Sequence, residues 1–158
     1  MAADEVLVLR PRRLRVLGVL MSVALCGILF VGWFALPLSL RESFTLAQRL
    51  TLLGFLAFVE FVVVAIAASY VRADAEGLRF RNGVRSHRVP WRRVHKIMLR
   101  PGDPWAIVLL LPEDGRAFEV DLDAEKRQLM GIQANDGAAA RRAVQELTRR
   151  HRRSIGAD

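Results

Sequence analysis

Seven basic residues fall within eighteen positions: Arg79, Arg81, Arg85, Arg88, Arg92, Arg93 and Lys96. Arginine side chains gathered on neighbouring strands bind anions through charge-assisted hydrogen bonds. Beside a membrane, each exposed Lys or Arg contributes about 1 kcal/mol toward an anionic surface. This set is therefore a candidate patch for anionic lipid or an acidic partner. The plainer reading is a solvated outer face whose charge also marks the cytoplasmic side of a membrane.

A second candidate is Glu60, the only charged residue between Leu50 and Ser69. A carboxyl group at the middle of an apolar helix costs about 3 kcal/mol on insertion, which the surrounding Leu, Ile, Phe and Val residues offset. Such a group is a candidate for proton or ion coupling. The plainer reading is a protonated group that hydrogen-bonds the partner helix. An antiparallel partner helix would place it near the level of Ser22 to Cys26. There Gly18, Ser22 and Cys26 recur at four-residue spacing, a small-residue stripe suited to close helix packing.

Reaction chemistry is not written in the chain. It has no phosphate-cradling glycine loop, no G-x-S-x-G, no H-E-x-x-H and no paired cysteines. Cys26 stands alone, and His87, His95 and His151 lack ligand spacing. Length excludes large enzyme folds such as an eightfold β/α barrel. No enzyme activity, metal or cofactor is expected. Nucleic acid is not expected either, because only Phe80 and Trp91 could stack among the basic residues.

The elements that would hold these residues follow from segregation along the 158-residue chain, whose net charge is +8. Residues 14–36 carry one charge, Arg15, at their start. As a helix they would be roughly 34 Å long, against a hydrocarbon core of about 30 Å. Residues 50–69 would span roughly 30 Å. Both read as transmembrane helices. The first run exceeds a signal-peptide core, and Ala35-Leu36-Pro37 is a poor cleavage site, so it is read as a retained anchor. Residues 37–49 form an external linker with only Arg41 and Arg49 as bases. Residues 1–13 form a basic arm. Basic flanks at Arg10, Arg12, Arg13 and Arg15 and after Ser69 place both chain ends in the cytoplasm. Trp33 and Phe34 at one end and Tyr70 at the other suit interfacial positions.

From residue 70 the pattern changes to alternation. Strands are expected at 71–74, 78–81, 85–89, 94–99, 105–111 and 117–122, with turns at Asn82-Gly83, Pro101 to Pro104 and Pro112 to Gly115. The fifth, apolar throughout, reads as central. Residues 123–137 are irregular, and a seventh strand would lie there or before Val71. Asp136 is a plausible N-cap for a last helix over 138–153, with Ala140, Val144, Leu147 and His151 on one face and arginines on the other. Trp91 after Pro90 is expected to anchor a strand end in the core.

With these residues in order, Glu76-Gly77-Leu78-Arg79-Phe80-Arg81-Asn82-Gly83, Val89-Pro90-Trp91 with Val94 and Ile97, and Leu129 to Gly137 before the closing helix, the chain resembles the bacterial PH-domain membrane proteins. In particular it looks like the actinobacterial group named for low-molecular-weight protein antigen 6. The resemblance implies a bent antiparallel β-barrel capped by a C-terminal helix, an α+β PH-like domain in the cytoplasm, and no catalytic activity. Many eukaryotic PH domains hold phosphoinositides with basic residues at the first hairpin turn. Here that turn is Ala75-Glu76-Gly77, acidic and short, and no such site is implied.

The expected molecule is a two-helix transmembrane hairpin followed by a PH-like domain over residues 70–158, in the plasma (inner) membrane. It would serve as a binding or scaffold module that recruits a protein partner or contacts anionic lipid, with a homo-oligomer possible. The alternative is a helix-hairpin assembly or an ion- or proton-coupled component using Glu60 and Ser22.

Overall fold

The computed structural model describes residues 6–113 and 125–156. Two long helices dominate the N-terminal part: α1 (Arg12–Ala35) and α3 (Leu46–Ala67), joined through the short helix α2 (Leu38–Ser43). Both long helices are of a length and composition that can cross a membrane. Their side chains find little protein to cover them: Phe30 and Phe55 are each 66% exposed. In water so much exposed apolar surface is unfavourable; against lipid it is not.

The two helices pack side by side and antiparallel. Gly18 is buried, and a β-carbon there would stand 3.5 Å from Ala67 and from Val63. Its lack of a side chain lets the backbones approach, as the small-residue stripe suggested. That contact sets Arg15, one turn earlier, level with the end of α3. Helix α3 begins before the expected apolar limit because Thr45 and Gln48 form a capping box. Gln48 N–H donates to Thr45 Oγ1 (3.3 Å), and Thr45 N–H donates to Gln48 Oε1 (2.9 Å). The linker arginines turn back onto the helix ends. Arg41 lies over Phe34 at 5.6 Å and Arg49 over Trp33 at 5.7 Å.

Beyond α3 the chain forms two antiparallel sheets. The first has the order β1-β2-β3-β4, with β1 Leu7–Leu9, β2 Tyr70–Ala73, β3 Gly77–Asn82 and β4 Arg85–Pro90. The second has the order β5-β6-β7, with β5 Val94–Met98, β6 Trp105–Leu110 and β7 Glu125–Gln133. Strand β6 is central, as its unbroken apolar run implied. The strand expected over 117–122 lies outside the described residues. Strand β7 falls in the stretch 123–137, one of the two places where a seventh strand was expected.

The N-terminal arm is more than a basic tail. Leu7, Val8 and Leu9 pair with Ala73, Arg72 and Val71, so residues from both sides of the helical hairpin share one sheet. Three residues of alternating burial gave too short a period to read as a strand.

Among the described residues the two sheets do not close into one hydrogen-bonded barrel; they bend around a shared core. Val71, Leu78, Phe80, Val108, Leu129 and Leu147 are fully buried in it. Strand β7 crosses the first sheet closely enough that a β-carbon on Gly131 would lie 2.6 Å from Val71 N. Asn82 joins β3 to β7: its Nδ2 donates to Gln128 O (2.7 Å) and its Oδ1 accepts from Met130 N–H (3.2 Å).

The last helix, α4 (Ala138–Ser154), covers the core with Ala140, Leu147 and His151. Its start differs from expectation. Gly137, at φ +58, is the N-cap, and Asp136 belongs to a short 3-10 turn whose carboxylate faces Arg13 at 4.0 Å. A cap at this bend requires positive φ, which glycine adopts without cost.

Candidate functional site

The register decides what the basic cluster can do. Arg72 stands opposite Arg79, and Arg79 opposite Arg88, so three guanidinium groups form one row across β2, β3 and β4. Like charges directly opposite each other repel. Two carboxylates answer them. Asp74 lies 4.0 Å from Arg72 and 3.8 Å from Arg79, and Glu76 lies 3.9 Å from Arg79 and pairs closely with Arg88. The row is thereby largely neutralised. Asp74 also shapes the turn, accepting the N–H groups of Glu76 and Gly77 at 3.2 Å each.

The remaining members of the cluster are not one surface. Arg93 sits where β4 gives way to β5 and pairs with Glu113 and, at 3.5 Å, with Glu125. Arg92, in the turn after β4, and Lys96, on β5, are exposed. Arg81 and Arg85 flank the β3–β4 turn at the opposite end. Arg81 Nε donates to Gly83 O (2.7 Å), while Arg85 is exposed. The seven residues thus divide into members of a largely neutralised row, a group on the turn after β4 and on β5, and a turn-flanking pair. Sequence spacing could not show this, because ion pairing depends on which carboxylates the strand register brings alongside.

The turn-flanking pair lies nearest the helices. Gly83 N–H donates to Ser69 Oγ (3.0 Å), and Ser69 is the buried residue between α3 and β2. The tip of the β3–β4 hairpin is therefore pinned to the end of α3. At that tip Val84 is 62% exposed between Arg81 and Arg85. Strand rise carries Arg88 roughly 10 Å farther away.

Glu60 also has an observed partner. Cys26 Sγ donates to Glu60 Oε1 at 3.7 Å across α1 and α3. Ser22 lines the same groove as Gly18 and Glu60 without bonding the carboxyl group in the described structure. The antiparallel level expected from sequence is reproduced, with Cys26 making the contact.

On α4, Glu146 accepts from Arg150 at 2.9 Å and pairs with Arg149. The hydrogen bond from Arg150 holds its carboxyl below the usual range, against the opposing effect of burial. Burial pushes the His151 imidazole below its ordinary value, and nearby His95 adds to that. His151 lies beside Trp91, ring centroids 6.0 Å apart, while Trp91 Nε1 donates to Asp74 O at 2.9 Å. Both are core groups; the expectation that Trp91 anchors a strand end agrees with its burial.

Compared with protein-family models, residues 69–150 match that of the bacterial PH domain. No curated protein and no solved structure matches the chain.

Proposed function

The chain belongs to the bacterial PH-domain family, and on that premise we propose that it is a membrane-anchored binding module displayed on the cytoplasmic face. Its helical hairpin crosses the plasma membrane twice, with both chain ends inside. The domain touches anionic lipid through its helix-facing end and offers its far faces to a protein partner. The basic flanks support the orientation: Arg10, Arg12 and Arg13 precede the first apolar run, Arg15 lies at its start, and further ones follow Ser69. PH domains as a family are binding modules rather than catalysts.

The observation that carries this reading is the hydrogen bond from Gly83 to Ser69, which holds the Arg81–Val84–Arg85 tip against the end of α3. The domain is not hung on a free linker. It is also joined to α1 through β1, so each membrane helix enters the same sheet directly. An environment-sensitive fluorophore at Val84→Cys, in a Cys26→Ser background of the full chain, tests the contact. In proteoliposomes containing phosphatidylglycerol its emission shifts to the blue. Emission unchanged from that of an exposed control on α4, such as Ser154→Cys, would contradict it.

A second reading, assembly of hairpins, is favoured by Glu60. Its carboxyl group is only half-buried, and Cys26 is a weak donor. In lipid, a second copy could supply the remaining hydrogen bonds. Under this reading Glu60→Leu lowers the dimer fraction resolved in mild detergent, while Glu60→Gln retains it. Equal fractions in both variants would remove the reading.

A further inference from the structure

A cleft of about 630 Å³ opens where the N-terminal arm, the end of β7 and the start of α4 meet. Arg10, Arg12 and Arg13 line it on one side, Ile132, Ala140 and Ala143 on the other. Two features make it a built site rather than a gap. Arg13 spans its base: Nη1 donates to Asn135 O at 2.8 Å, and the guanidinium faces Asp136, the cleft's carboxylate, at 4.0 Å. Arg10 and Arg12 are exposed and make no ion pair or side-chain hydrogen bond among the described residues. The cleft therefore combines two uncommitted guanidinium groups with an apolar wall.

Its position narrows the occupant. Arg12 and Arg13 are the first residues of α1, and the apolar run begins at Leu14. If α1 crosses the bilayer, as proposed above, the cleft opens within one helical turn of the hydrocarbon boundary. A phosphodiester sits at that depth, with a glycerol backbone beside it and chains below. Guanidinium groups match phosphate oxygens in geometry and charge, and the alanine wall accommodates the glycerol and first methylenes.

We propose that this cleft holds the phosphate and glycerol portion of one anionic membrane phospholipid, with Arg10 and Arg12 as its ligands. The bound lipid lies between arm and α4 and so joins the membrane anchor to the domain's closing helix. The site is separate from the Arg81–Val84–Arg85 tip, and it rests on the membrane-spanning reading of α1.

Native mass spectrometry of the full chain, released from nanodiscs of equal phosphatidylglycerol and phosphatidylcholine, tests it. The wild type retains one phosphatidylglycerol in preference to phosphatidylcholine. The double variant Arg10→Gln/Arg12→Gln lowers that preference about tenfold. The variant Arg152→Gln/Arg153→Gln, with equal charge loss on the exposed end of α4, leaves it unchanged. Equal loss in both double variants would reduce the effect to net charge and overturn the site. A changed dimer fraction with unchanged lipid retention would assign the cleft to a second copy, and also overturn it. Alkaline carbonate extraction of the same wild-type membranes separates the two levels. Protein released as soluble defeats the spanning reading; integral protein without lipid preference defeats the cleft alone.

Discussion

Single side chains here owe their roles to what lies opposite them. Arg79 is surrounded by like charges in sequence, yet Asp74 and Glu76 flank it in space. Spacing made the cluster visible and overstated its free charge. The acidic turn at residue 76 was the one available sign. Exposed ion pairs of this type each contribute only about 0–1 kcal/mol, so their main consequence is to offset most of the row's positive charge. His151 permits a sharper prediction. Its folded-state affinity for protons is lowered by burial, so the unfolded chain binds protons more readily below pH 6.5. Stability contributed by the neutral imidazole is complete above that value and is lost as pH falls through it. Glu146, held below 4.5, adds a second loss on further acidification. Thermal unfolding of the full chain in detergent, followed by circular dichroism, shows a midpoint that falls from pH 7 to 5.5. In His151→Leu that part of the slope flattens. An unchanged slope would show that His151 is not the linked group.

Among the elements, those with a clear apolar period or with turn residues at their ends were legible, and strands β1 and β7 were not. Both apolar helices, the amphipathic α4 and strands β2 to β6 announce themselves by length, alternation or turn residues. Strand β1 is three residues long, and β7 begins in a polar, charged run whose exposed first half masks its buried end. What makes β7 possible is packing: Gly131 lets two backbones meet, and Asn82 supplies hydrogen bonds in both directions. Gly131→Ala therefore forces backbone against backbone and destabilises the domain by about 1–3 kcal/mol or more. Asn82→Ala removes two hydrogen bonds at a partly exposed junction, at about 0.5–1.5 kcal/mol each. Denaturant unfolding of the detergent-solubilised chain, read at the tryptophans, gives both values. Midpoints equal to wild type in both variants would mean that β7 is not held against the first sheet through these residues.

At the scale of the molecule, the anchor and the domain are continuous. Strand β1 leads through Pro11 into α1, and α3 leads through Ser69 into β2, while β1 and β2 pair with each other. A domain tied at two adjacent strands has little freedom to swing, so whichever surface faces the bilayer does so persistently. Sequence indicated the hairpin and the domain separately. Their joining through the arm depended on a pairing between residues more than sixty positions apart, which no local pattern encodes. In the proposed topology the hairpin crosses the membrane twice and leaves both the arm and the domain in the cytoplasm. Cysteine accessibility in intact cells tests it most directly, using Ser39→Cys in the linker and Ser154→Cys at the end of α4, each in a Cys26→Ser background. A membrane-impermeant maleimide is expected to label position 39 in intact cells, and position 154 only after permeabilisation. Labelling of position 154 in intact cells, or protection of position 39, would contradict this topology.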